Sequence, residues 1–146
     1  MKKITKLEYR LNDPHSNYPA LYHYNHLEQT EIFSRRLCDY FIKDRKVYSK
    51  TSTALERDMY VIYVEEDKEE TPLQTGTAYS HVTLELRLYN EQAESNLLFK
   101  YDLHSHDEAL TFIGNDYLIL GEIEYEKVSS EIDEDRSTYV VYLTIV

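Results

Sequence analysis

Residues 58–64 read DMYVIYV, and residues 137–146, at the other end of the chain, read STYVVYLTIV. Both stretches contain a Tyr-Val-x-Tyr motif and are rich in the β-branched and aromatic residues that favour strands. Bulky residues fill consecutive positions rather than alternate ones, which is typical of interior strands covered on both faces. The motif therefore predicts two central strands, one in each half of the chain.

The likeness between the two halves extends well beyond these strands. With a shift of 77 residues, LEYRL at 7–11 aligns with LELRL at 84–88. After two additional residues in the second half, Tyr60 aligns with Tyr139, and 17 of 63 aligned positions are identical. The alternative is a chance likeness between amphipathic strands, but the nearly constant register favours tandem duplication of one supersecondary unit.

Each copy is predicted to form a β-β-α-β-β unit. The stretches LEYRL and LELRL alternate apolar and charged residues, as half-buried strands do. A possible capping box follows the second strand of each copy, at Asn25-x-x-Glu28 and at Ser105-x-x-Glu108. The apolar spacing predicts that the first helix runs through about residue 43, whereas Gly114 and the following Asn should end the second helix earlier.

We therefore expect an α+β fold with a mainly antiparallel sheet and two helices. The whole chain, residues 1–146, should form a single domain. Its repeats, at about 4–64 and 81–146, should face each other across a pseudo-twofold axis. Residues 65–78, EEDKEETPLQTGTA, have the composition of a surface linker between them.

Charge and composition exclude several classes of partner. The formal net charge is -11, and residues 74–146 carry 14 acidic but only 4 basic residues. Such acidity argues against direct binding of nucleic acid, since affinity for phosphates comes mainly from Lys and Arg. No apolar stretch is long enough to cross a bilayer, so no membrane association is expected. A single cysteine, Cys38, agrees with a reducing compartment and predicts a cytoplasmic location.

No residue pattern predicts catalysis, a metal site or a cofactor. The run from His104 to Glu108 brings imidazoles and carboxylates together, but helix capping explains it equally well. Cys38 would need a base and an orienting group nearby to act as a nucleophile, and it is interpreted as a plain thiol in the first helix. The three glycines fit no phosphate-binding loop. The protein is therefore interpreted as a non-enzyme that needs no cofactor.

Two duplicated or clustered polar patterns are candidate binding surfaces. The first is a Tyr-x-Lys-x-Ser pattern whose side chains should share a strand face and could line a groove, although an ordinary solvent-exposed face is the alternative. It comprises Tyr48, Lys50, Ser52, Tyr125, Lys127 and Ser129.

The second pattern is an acidic surface in the second half, which could meet a basic patch on a protein partner. A solvated face that only keeps the protein soluble is the alternative. Part of the set should share one strand face, and the remainder should follow in an acidic turn where Asp133 and Asp135 are expected to be solvated. The set comprises Glu122, Glu124, Glu126, Glu131, Asp133, Glu134 and Asp135.

Three function classes remain. The first is a binding or regulatory protein that docks a protein partner through its sheet or its acidic half. The second is an acidic nucleic-acid mimic that inhibits a DNA- or RNA-handling protein. The third is a small-ligand protein or enzyme with a pocket between the repeats, which would require polar groups converging in a concave site. The pattern predicts no particular oligomeric state.

Overall fold

The computed structural model, which describes residues 3–73 and 76–146, contains one ten-stranded sheet. The strands of the first half are β1 (Lys6–Leu11), β2 (Ala20–Tyr24), β3 (Tyr40–Lys43), β4 (Lys46–Glu56) and β5 (Met59–Glu66). Those of the second half are β6 (Thr83–Leu88), β7 (Asn96–Asp102), β8 (Tyr117–Leu120), β9 (Ile123–Asp133) and β10 (Thr138–Ile145).

Two α-helices accompany the sheet in the described part of the chain. Helix α1 spans Gln29–Leu37, and the short α2 spans Leu110–Ile113 directly after a 3-10 turn at His106–Ala109. Helix α2 ends at Gly114, as predicted. None of the helices in residues 3–73 and 76–146 has the length and apolar character needed to cross a membrane.

The sheet order is β2-β1-β5-β4-β3-β9-β10-β6-β7, and β8 pairs with β9 outside this path. Most neighbouring strands are antiparallel; the parallel pairs are β1 with β5, β6 with β10, and β3 with β9. The expected mixed α+β class, mainly antiparallel sheet and two helices are confirmed. The Tyr-Val strands β5 and β10 are interior, as predicted.

The prediction that α1 runs through about residue 43 is wrong. The backbone of Cys38 is extended at the end of the helix, and Tyr40–Lys43 forms β3. Asp39 explains the change, since its N–H donates to Ser130 O at 2.9 Å and its carboxylate accepts from Ser130 N at 3.0 Å. Pairing with the second half thus overrides the helical spacing, and each half has three strands after its helix instead of two.

The two halves meet along β3, which pairs with β4 on one side and with β9 on the other. The equivalent position in the second half, β8, pairs with β9 alone among the described residues. The two halves are therefore not equivalent at their junction, which departs from a strict twofold arrangement.

The two faces of the sheet bury different kinds of residue. On one face, α1 covers an apolar core in which the Tyr9 and Phe41 rings stack with 3.8 Å between their centroids. On the other face of the second half lies a charged network in which Glu85 is fully buried. Residues 76–79 and the β6–β7 loop lie against this network through hydrogen bonds at Thr77, Tyr79 and Ser95, while the described residues of the expected linker are themselves exposed or half-buried. Gln74 and Thr75 of that linker fall outside the described residues.

Candidate functional site

A cavity of about 590 Å³ lies on the sheet face where the two halves meet. Strands β3, β4, β9 and β10 form its floor, and residues 69–73 and 89–95 form its walls. Its lining comprises Tyr40, Ile42, Val47, Glu69, Glu70, Thr71, Pro72, Leu73, Tyr89, Asn90, Glu91, Gln92, Ala93, Glu94, Ser95, Val128, Ser129, Glu131 and Tyr142. We call this space the junction cavity.

The junction cavity is strongly acidic. Five glutamates contribute to its lining, and none of the described lining residues is Lys, Arg or His. Glu69, Glu70 and Glu91 are exposed at the walls and are called the rim glutamates. Three tyrosines also line the space, so aromatic and acidic residues come together there. Such a combination suits a cation, which is attracted both to carboxylates and to ring faces.

Glu131 lies on the floor of the cavity and is only 6% exposed. Burial raises its pKa to about 8, although a hydrogen bond from Tyr142 opposes the shift. The other charges that act on it are Asp133, Arg136 and Glu85. Its Oε2 atom is buried and has no hydrogen-bond partner among the described residues. The carboxyl is therefore largely protonated at neutral pH and has an unused oxygen.

The charged network beneath residues 76–79 supports this floor. Arg136 binds the Glu85 carboxylate with two hydrogen bonds, at 2.9 and 3.0 Å, and its Nε donates to Asp133 at 2.9 Å. Arg87 donates to Glu85 at 2.8 Å and to the carbonyl of Ser95, in the cavity wall, at 2.8 Å. The wall and the floor are thus tied to one buried ion cluster.

The seven acidic residues predicted as a partner surface do not share one surface. Glu122, Glu124 and Glu126 are exposed on the β8–β9 hairpin. Glu131 and Asp133 are buried, so the expectation that Asp133 is solvated is wrong. Its Arg136 partner makes burial possible, because a paired charge loses less on leaving water.

The acidic turn itself connects the halves. Glu134 accepts from Arg35 at 2.8 Å and from the Tyr24 hydroxyl at 2.7 Å, and it also pairs with Lys43. Asp135 accepts from the backbone N–H groups of residues 44 and 45, both at 2.9 Å. These carboxylates hold the β3–β4 turn against the second half.

The Tyr-x-Lys-x-Ser patterns do not form a common polar face. Tyr48 and Tyr125 are buried, and an irregularity in each strand interrupts the spacing before Ser52 and Ser129. Lys50 donates to the carbonyl of Arg36 at 2.6 Å, and Lys127 donates to that of Ile113 at 2.7 Å. Each lysine thus binds the C-terminal end of the helix in its own half, where a cation is favourable. Of the six residues, Ser129 alone lines the junction cavity.

The histidine run and Cys38 have structural partners. His106 contacts the Tyr139 hydroxyl at 2.7 Å and Glu31 at 3.2 Å, and burial lowers its pKa. Across residues 3–73 and 76–146, no three His, Cys, Asp or Glu side chains are grouped as a metal site would require. Cys38 is buried just after α1, and burial raises the pKa of its thiol to about 12. That thiol is therefore almost entirely protonated at neutral pH.

Sequence reasoning missed most of the junction cavity. It assigned Glu69 and Glu70 to a surface linker, Tyr40 to a helix and Glu131 to an exposed face. The available signal was the alternation of Glu131 and Asp133 around Ile132. Alternate residues of a strand share one face, so the two acids had to lie on the same side of a strand that neighbours a central one. Nothing local predicted that residues 69–73 and 89–95 would meet over that face.

The raised pKa of Glu131 predicts a specific pH dependence of stability. Between its ordinary value of 4.5 and about 8, the folded protein holds a proton that the unfolded chain has lost. Unfolding then releases a proton, so the free energy of unfolding should fall as pH rises through this window, by up to about 1.4 kcal/mol per pH unit. In Glu131→Gln this contribution should be absent. Urea unfolding at several pH values between about 5.5 and 7.5 measures the difference between the two proteins.

The pKa of His23 is raised by its hydrogen bonds to Asn25 and Glu8, and burial lowers that of His106, but both histidines are present in both proteins and cancel in the comparison. Glu122→Gln, on the exposed hairpin, is the control and should follow the unsubstituted protein. If the free energy of unfolding changed with pH in the same way in Glu131→Gln and in the unsubstituted protein, Glu131 would not hold its proton in the folded state.

No protein-family model, curated protein or solved structure matches this chain.

Proposed function

We propose that the protein is a non-catalytic binding protein that docks a protein partner by receiving a positively charged segment of it in the junction cavity. One observation carries the proposal: the described lining contains five glutamates and no basic side chain, so it stays acidic even while Glu131 holds its proton. A basic segment would gain favourable Coulomb interactions there. The rings of Tyr40, Tyr89 and Tyr142 add the faces on which ammonium and guanidinium groups pack.

The size of the cavity limits what can enter it. A volume of about 590 Å³ is within the usual range of small-ligand pockets and suits one or two long side chains, not a folded domain. The partner would therefore insert a short segment and make its remaining contacts at the rim. The acidic excess of residues 74–146 would also speed the encounter with a basic partner.

We further propose that the two halves arose by duplication of one unit and that the site arose where they diverged. The strand pairings support this: Leu7 lies opposite Tyr60 in β1 and β5, and Leu84 lies opposite Tyr139 in β6 and β10. These pairs are the ones that the sequence alignment matches. The unit is then β-β-α-β-β-β.

An ion pair is also repeated between the halves. Arg10 Nε lies 2.7 Å from Glu8 in β1, and Arg87 Nε lies 2.8 Å from Glu85 in β6. The first pair is partly exposed, whereas the second is buried beside the segments that wall the junction cavity. Divergence of the segments that wall the junction cavity, more than divergence of the strands, would have produced the site.

The exposed β8–β9 hairpin is a second candidate for docking a protein. It keeps three of the predicted acids and also exposes apolar side chains, with Ile119 72% and Ile123 45% exposed. The nucleic-acid mimic has less support, because the other four acids make contacts within the protein. A protein partner is therefore the preferred proposal at either place.

A charge-matched comparison tests the junction cavity against the hairpin. We expect an acetylated pentalysine peptide to bind the protein, and the triple substitution Glu69→Gln, Glu70→Gln and Glu91→Gln to weaken binding about tenfold, as loss of several favourable charges should. The hairpin substitution Glu122→Gln, Glu124→Gln and Glu126→Gln removes the same charge and should change affinity less than about twofold. Calorimetry at physiological ionic strength measures both changes in affinity, because salt at that concentration screens the contribution of distant charges.

The reverse pattern would transfer the docking site to the hairpin. Equal effects of the two triple substitutions would mean that the peptide responds only to net charge. Absence of binding to the unsubstituted protein would contradict the proposal altogether.

A further inference from the structure

Glu131 differs from the other acids of the junction cavity in having a buried carboxyl. The rim glutamates are exposed to water, which screens their charge. Glu131 is 6% exposed and lies on the floor. A cation that reaches the floor leaves water, so its attraction to the carboxylate that forms when Glu131 loses its proton is screened less than its attraction to the rim glutamates. The floor should therefore determine which kind of cation is bound.

The hydrogen bonds of Glu131 leave room for a single strong donor. Tyr142 hydrogen-bonds the carboxyl group, and the buried Oε2 has no partner among the described residues. Leaving a buried oxygen without a hydrogen bond is unfavourable, so a donor that reached it would relieve that cost. The site is thus incomplete in a way that a ligand can correct.

One free oxygen suits an ammonium better than a guanidinium. A guanidinium is a planar fork that binds best to two accessible oxygens of a carboxylate, whereas Glu131 Oε2 is buried. An ammonium is a compact donor and can bind a single oxygen. The cavity also supplies an apolar wall for an alkyl stem, since Ile42 and Val47 line it.

We propose that the junction cavity takes a lysine side chain of the partner, whose ammonium group binds the Glu131 carboxyl group while its alkyl stem packs on Ile42 and Val47. This inference rests on the proposed function and specifies its ligand. The rim glutamates attract the basic segment, and Glu131 selects lysine over arginine. Glu131 is then an anchor for the ligand and has no catalytic role.

Binding should displace the proton that Glu131 holds. An ammonium next to the carboxyl favours its ionised form, and burial had favoured the neutral one. The side chains that act on Glu131 are Tyr142, Asp133, Arg136 and Glu85. At about pH 7, close to one proton should therefore be released for each lysine bound.

Calorimetry in buffers of different ionisation enthalpy tests this directly, because released protons change the measured heat. Acetylated pentalysine should release close to one proton from the unsubstituted protein and bind several-fold more tightly than acetylated pentaarginine. Glu131→Gln should bind pentalysine about tenfold more weakly, release no proton and lose the preference for lysine. Circular dichroism and melting of Glu131→Gln verify its fold, and the proton count in the unsubstituted protein does not depend on any substitution.

The outcomes separate this inference from the proposed function. Pentalysine binding could depend on the rim glutamates, release no proton and be unchanged in Glu131→Gln. That result would overturn the role of Glu131 and leave the proposed function intact. Loss of all peptide binding would overturn both. If 1,5-diaminopentane bound as tightly as pentalysine with the same proton release, the ligand would be a free alkylammonium and the partner lysine would be excluded.

Discussion

Replacing Glu85 by glutamine should lower the free energy of unfolding by about 3 kcal/mol or more, because Arg87 loses its carboxylate partner and Arg136 keeps only Asp133. Glu85 is fully buried and accepts hydrogen bonds from Arg136, from Arg87 and, at 2.6 Å, from the Tyr79 hydroxyl. Although burial opposes ionisation, these hydrogen bonds lower its pKa to about 2. Equilibrium urea unfolding near neutral pH measures the effect.

Glu8 is the matched control, since it occupies the equivalent place in β1 and pairs with Arg10 at 2.7 Å. Its carboxylate retains some contact with water, so Glu8→Gln should cost about 1 kcal/mol or less. If the two substitutions lowered the free energy of unfolding by similar amounts, residues 76–79 would not keep water from Glu85. Because the same cluster holds the cavity wall, Glu85→Gln should also weaken binding of pentalysine.

The second large effect is expected at Tyr139. Its side chain is fully buried in the apolar core under α1, and its hydroxyl lies 2.7 Å from His106 Nδ1. Tyr139→Ala removes a large buried ring and should cost about 3–5 kcal/mol, through lost burial and the cavity that remains. Tyr139→Phe keeps the ring and removes one hydrogen bond, so it should cost about 1 kcal/mol. Thermal and urea unfolding measure both substitutions.

Tyr117 provides the comparison, since its ring is 56% exposed in β8. Tyr117→Ala should change the free energy of unfolding by about 0.5 kcal/mol or less, as most surface substitutions do. If Tyr139→Ala cost no more than Tyr117→Ala, β10 would not be a central strand of the sheet.

Much of the fold was predictable because its signals are local. The alternation in LEYRL and LELRL predicted β1 and β6, and the Tyr-Val stretches predicted two interior strands. Gly114 correctly predicted the end of α2, since glycine commonly ends a helix. Periodicity and turn residues depend on neighbouring positions, so they can be read without knowledge of the tertiary contacts.

The end of α1 was not predictable in the same way. Tyr40, Phe41 and Ile42 suit the apolar stripe of a helix and also suit a strand, since they are all good strand formers. Their place in β3 depends on pairing with β9, whose residues lie about 90 positions later in the chain. A local pattern carries no information about that distant pairing, so the number of strands in each half was wrong by one.

The sequence by itself determined the class of fold, the interior position of β5 and β10 and the acidity of the second half, because these follow from composition and local periodicity. Only the tertiary structure decided which acids are exposed. Glu131 and Asp133 face inward because residues 69–73 and 89–95 and Arg136 meet over the sheet, whereas Glu122, Glu124 and Glu126 remain on an uncovered hairpin. A carboxylate has the same formal charge in either place, but burial and its partners set its pKa and the ligand it can bind.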